Sequence, residues 1–266
     1  MIRERSLTIG RALCRAICIV AFMLGAAGPS SAQPAAEADP LIYFYKDPRP
    51  DRLIGLVEST GRRPEFRNWQ AYPPLAGFLA VIFAADPASI DRLIPQELDP
   101  MLVEALAAAL RLSGNGPRAD TLPAPDGARD DTLRTEFANL PARLEDLKIA
   151  TPTHLDILWG ASFASGDGRY ARMIIDFFAE TANRSEEIAI DVAKVTIAMA
   201  GGPDEALTTL RGKHGDALTT KIIYAAAALW ALQSNAEQHD FIDKTARDYL
   251  AEGPDTPARR AISALW

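Results

Sequence analysis

The chain has 266 residues, 48% of them hydrophobic and 24% charged, with 28 basic against 35 acidic side chains and a net charge of −7. That balance excludes a general nucleic-acid binder, because affinity for a phosphate backbone comes from basic groups that displace its counterions. Two cysteines and three histidines leave little material for a thiolate or imidazole metal centre.

The N-terminus carries the clearest signal. Arg3, Arg5, Arg11 and Arg15 flank the start of an uncharged run, Ala16–Gly28, and Ser30–Ser31–Ala32 puts small residues at the −3 and −1 positions of a cut after Ala32. Basic, apolar, then small is the layout of a secretory signal peptide, expected over 1–32. The apolar run is 13 residues long, short of the roughly 20 that a helix needs to cross a bilayer. The expectation is a periplasmic or secreted protein with no transmembrane segment in the mature chain. Cleavage takes four arginines and Glu4 away, leaving 24 basic against 34 acidic residues. It also takes Cys14 and Cys18, so the mature chain is expected to be cysteine-free and without thiolate chemistry.

Residues 33–49 are expected as an extended tether and arm, with Leu41–Tyr45 as a strand or a packed extension, broken by the prolines at 48 and 50. From residue 50 onward the pattern predicts helices. Asp51–Thr60 has Pro50 before it and Gly61 after it. Leu75–Ala85 is apolar on nearly every face and reads as a buried helix, followed by an Asp86–Pro87 start signal for another. Asp99–Pro100 opens a helix over 101–112, which Gly114 ends. Residues 113–131, rich in proline and glycine, predict a long loop. Thr132–Lys148 predicts a helix with a break near Pro141. Helices are then expected over 153–164, 169–181 and, capped by Ser185, up to Met199. After Gly201–Gly202–Pro203 come 205–211, the apolar core helix Ile222–Leu232, then 235–252 and 257–266.

One pattern occurs twice. FAADPASIDRLI at Phe83–Ile94 matches FASGDGRYARMI at Phe163–Ile174, and upstream Leu75 falls on Leu155 and Ala80 on Gly160. Each copy reads as an apolar helix, a tight polar turn and a second amphipathic helix. Such a hairpin cannot bury its apolar face alone. The small residues Ala80, Ala84, Gly160, Ala161 and Ala164 would let a neighbouring helix come close. The expected fold is all-α: stacked helical hairpins, either a solenoid-like array or an irregular bundle, in a single helical domain over 50–266.

No catalytic motif stands in the chain. His154, His214 and His239 lack metal spacing, and no H-E-x-x-H or calcium-loop pattern occurs. Gly160–Ala164 approaches a nucleophile elbow around Ser162, but its last position is alanine and its context is helical. Asp156, Asp167 and Asp176 are the candidates for a paired-carboxylate hydrolase, with Asp167 better suited to capping a helix. Trp69 and Tyr72 precede the first hairpin and Trp159 lies within the second; with Arg92 and Arg172 on the second helices, they are the candidate binding residues. The expected function is non-enzymatic binding of a protein or peptide in the cell envelope, with no cofactor and no metal. A carboxylate-dependent hydrolase and a carrier of a small apolar ligand are the alternatives.

Overall fold

The computed structural model describes residues 41–123, 130–199 and 204–266. The signal peptide with both cysteines, residues 33–40 of the tether, part of the 113–131 loop and the glycine-proline break at 201–203 lie outside the described residues. Among the described residues 76% are helical and no strand forms, so the chain is all-α. The described residues divide into two compact units, one ending at Tyr170 and the other running from Ala171 to Trp266.

The N-terminal unit opens with a 3-10 turn, Phe44–Lys46. Leu41, Ile42 and Phe44 are buried, and Phe44 meets Phe78 edge-on at 5.1 Å, so this apolar run packs without forming a strand. Helix α1, Pro50–Ser59, starts on its proline and buries Leu53 and Val57, one turn apart. Short 3-10 turns lead to α2, Tyr72–Ala85, which is buried along most of its length. Asp86 closes it, its carboxylate accepting from Ala88 N at 3.1 Å.

The second helix of this first hairpin is only a 3-10 turn and the single helical turn Ile90–Leu93. Pro95 is the reason: a residue before proline is driven out of the helical region, and Ile94 sits at φ −88°, ψ 111°. Helix α3, Pro100–Leu112, is capped by Asp99, which accepts from Met101 N and Leu102 N at 3.0 and 2.9 Å. The helix expected over 132–148 with a break near Pro141 is interrupted there, but only Asp131–Glu136 and a 3-10 turn, Leu144–Asp146, are helical. Pro141 cannot carry a helix through, as it supplies no N–H.

Helix α4, Pro152–Ser165, is the first helix of the second copy. It packs against α2, the first helix of the first copy. A Cβ on Gly77 would lie 1.8 Å from the carbonyl oxygen of Ile157, and one on Gly160 would lie 1.8 Å from that of Pro74. The two backbones therefore touch, and only glycine fits at either point. The partners run in opposite order, so the helices are antiparallel through the contact. Gly160 is one of the small residues expected to admit a neighbouring helix; Gly77 on the other side is the second. Gly166 ends α4 in the left-handed region at φ 63°, returning its N–H to Ser162 O at 2.8 Å.

In the C-terminal unit, α5 (Gly168–Ala182) supplies the buried residues Ala171, Ile174, Ile175, Phe178 and Ala182; its first turn belongs to the other unit. Helix α6 is Glu186–Met199 and α7 is Asp204–Ala236, with a break at Gly215 (φ 72°, ψ 168°). Ile222, Ala225, Ala226 and Leu229 are buried, as expected for the core helix. Helices α8, Asp240–Ala251, and α9, Pro257–Ser263, follow. The helix expected from residue 235 begins only at 240, because the chain leaves α7 through a turn at 237–239.

Substituting alanine for Gly77 or Gly160 should lower stability by several kcal/mol, since a backbone carbonyl cannot yield as a side-chain tip does. Gly55→Ala in α1, where no atom lies within 4 Å of the new Cβ, should be neutral or gain about 1 kcal/mol. Urea midpoints of the three variants test this; equal midpoints would show that the α2–α4 contact has room to relax.

Candidate functional site

Helix α4 starts from a polar end. Thr153 Oγ1 donates to Glu136 Oε2 at 2.7 Å, and Ala150 N donates to His154 Nδ1 at 3.0 Å. Burial pushes the His154 imidazole below its ordinary pKa. Beyond that turn, Asp156, Trp159 and Phe163 stand at i, i+3 and i+7 and so share one stripe of the helix. Trp159 is buried and stacks on half-buried Phe163, centroids 6.3 Å apart at an interplanar angle of 22°.

Asp156 is the unusual member. Its carboxyl makes no hydrogen bond or ion pair with any described residue, and neither oxygen is closed off from solvent. Part of its surface is wet, yet protein surrounds it on enough sides that burial pushes the carboxyl up to about 8, with no charged neighbour contributing. Such a group can exchange a proton near neutral pH or serve as counter-ion to a cation brought from outside.

The other candidate acids are occupied. Asp167 caps α5, accepting from Arg169 N at 2.9 Å and pairing with Arg169 Nε at 2.5 Å. It lies beyond the far end of α4, roughly 14 Å along the axis from Asp156 at 1.5 Å per residue, outside the spacing of a glycosidase pair. Asp176, in the C-terminal unit, pairs with Arg172 Nε at 2.9 Å. Ser162 is fully buried, and its hydroxyl donates to Leu158 O at 2.9 Å, so it is no exposed nucleophile.

The expected binding residues fall in both units. In the N-terminal unit Trp69 is half-buried at the start of a 3-10 turn. Tyr72 is fully buried; its hydroxyl reaches Asp99 Oδ1 at 3.4 Å, and burial, then Asp99, raises its pKa. Arg92 is exposed and pairs with Asp86 at 3.2 Å. Trp159 belongs to the α4 stripe. Arg172, in the C-terminal unit, reaches Glu252 Oε2 at 2.7 Å and stands 5.1 Å above the Tyr249 ring.

The C-terminal unit also holds a partly buried polar cluster. Asp191 Oδ2 on α6 accepts from Lys213 Nζ at 2.6 Å and contacts His214 Nε2 at 2.7 Å, and Lys213 also pairs with Glu187 at 2.8 Å. Burial works to raise the Asp191 pKa, but the bonds from His214 and Lys213 outweigh it and hold the carboxylate below its ordinary value. The cluster sits beside the Gly215 break and ties α6 to α7.

Among the described residues no three His, Cys, Asp or Glu side chains are placed to hold a metal ion, and no single helix is long and apolar enough to cross a membrane. No protein-family model, curated protein or solved structure matches the chain. The isolation of Asp156 was not visible in its sequence neighbourhood; the i, i+3, i+7 spacing to Trp159 and Phe163 was.

The two aspartates have opposite linkage to pH. Asp156 titrates near 8 when folded and near 4 when unfolded, so stability should fall as pH rises between those values. Asp156→Asn should flatten that fall and be the more stable protein at pH 8. Asp191 adds stability above its unfolded pKa and loses it on acidification, so Asp191→Asn should be the weaker protein at neutral pH. Urea midpoints from about pH 4 to 9 separate the two; parallel curves for wild type and Asp156→Asn would remove the buried-acid assignment.

Proposed function

We propose that the chain is an exported, all-α protein of the periplasm or exterior that binds a peptide or protein segment and catalyses no reaction. The export element rests on the basic, apolar, small-residue order of residues 1–32. The binding element rests on one observation above all: the Asp156 carboxyl, without a partner among the described residues, shares a helix stripe with the stacked Trp159–Phe163 pair. Of that pair Trp159 is buried and only Phe163 is partly exposed, and aromatic residues are enriched at protein interfaces.

The hydrolase reading draws on the same residue, since a carboxyl raised toward neutrality suits a general acid. It needs a second carboxylate or a nucleophile close by. Asp167 is too distant along α4, and burial alone accounts for the Asp156 shift. That favours binding over catalysis.

Panning a displayed random-peptide library on the full chain should enrich a defined set of sequences, while glycoside and ester substrates should show no turnover. A library that yields no enrichment would remove the binding function. Turnover that disappears in Asp156→Asn would install the hydrolase in its place.

A further inference from the structure

Resting on the peptide-binding reading, we propose that Asp156, flanked on α4 by Trp159 and Phe163, receives a cationic group of the bound segment, a lysine ammonium or an arginine guanidinium, and releases a proton to solvent as it does so.

The geometry carries the first half. A carboxyl without a counter-ion among the described residues, partly open to solvent, offers an ion pair to one incoming cation. Among the described residues the neighbouring charged groups are already engaged. Helix α2, packed against α4, carries no charged side chain, and the hydroxyl of Tyr72, its one titratable group, is directed at Asp99. The turn Phe44–Lys46 also packs on α4, and there Lys46 lies over the rings of Tyr43 and Tyr45 at 4.9 and 5.8 Å. On α4 itself His154 accepts from Ala150 N, and the adjoining Glu136 accepts from Thr153. Past the end of α4, Asp167 and Arg169 satisfy each other, and Arg169 lies 3.8 Å from Glu145. The excess of acidic over basic residues, 35 against 28 in the full chain and larger after the expected cleavage, favours a basic partner at long range.

The second half follows from what an uncompensated buried carboxyl does. Without a counter-ion it keeps its proton, because desolvating the anion is costly. An ammonium or guanidinium supplies the compensating charge, so the carboxyl gives up its proton and the ion pair forms. The balance is one cation bound and one proton released. Binding linked to loss of one proton strengthens about tenfold per pH unit until the free acid is ionised, then levels.

The test uses the peptides enriched on the full chain at pH 8 and measures their affinity by calorimetry from pH 6 to 9 in two buffers of different ionisation enthalpy. Enriched peptides should carry lysine or arginine. Their dissociation constants should fall about tenfold per unit up to about pH 8, with close to one proton released. Asp156→Asn, checked for native circular dichroism, should lose the pH dependence and weaken binding at pH 8 by at least about tenfold. Acetylating the lysines should do the same with the protein untouched, so a poorly folding variant leaves the result decisive. Enriched peptides without a cation, or affinity indifferent to pH and acetylation, would overturn the inference while leaving peptide binding in place. An empty library would overturn the peptide-binding reading itself.

Discussion

The N-terminal unit turns on a contact between two backbones. At Gly77 and Gly160 no side chain separates α2 from α4, and each glycine lies against a carbonyl of the opposite helix. Helices normally keep 8–10 Å between axes because side chains intervene; glycine on both sides removes that spacer. The consequence reaches the candidate site. Asp156 is one turn before Gly160, on the side of α4 that nears a helix with no charged residue. A close, apolar neighbour raises the cost of a charge without offering a donor to satisfy it. The contact that holds the unit together is thus of a kind that leaves an acid without a partner.

Much of the architecture is legible in local chemistry. Proline at the first helical position and aspartate before it mark α3, and Asp167 caps α5 as its place in the Ser-Gly-Asp-Gly turn suggests. The repeated pattern also points to the helices that matter, since α2 and α4 are the two first members. It does not say where the two come closest: the backbones meet at Gly77 and Gly160. It also overstates the first hairpin, whose second helix stops at Ile94 because of Pro95. Over 132–148 the break expected near Pro141 is present but wider than one residue, leaving only Asp131–Glu136 and Leu144–Asp146 helical. Periodicity reports which face is apolar, not where two helices come closest or how much of a helix one proline removes.

The site residues divide in the same way. Trp159 and Phe163 are recognisable as a stripe from spacing alone. Asp156 appears among the acids near the second turn, but nothing local distinguishes it from Asp167 or Asp176. What separates them is whether an arginine lies in reach, and Arg169 and Arg172 take the other two. Partner choice of that kind is settled by tertiary placement, as is the full burial of the Tyr72 ring.

Asp156 and Asp191 show how far environment decides what one residue type does. Both are crowded by protein, and in both crowding disfavours the anion. Asp191 has a lysine and a histidine against the same oxygen, so it stays ionised and fastens α6 to α7 beside the one glycine where α7 departs from helical geometry. That is the behaviour of a structural acid: its partners offset its desolvation, and losing either end would leave a charge stranded. Asp156 has no such offset. An asparagine or leucine there would fit the helix and relieve the penalty, so the carboxyl makes the fold less stable at neutral pH. Residues that cost stability and serve no contact within the fold are concentrated where a protein meets something else. On that ground the search for this protein's partner should begin at Asp156, not at the arginines of the second helices, whose charges are already engaged within their own units.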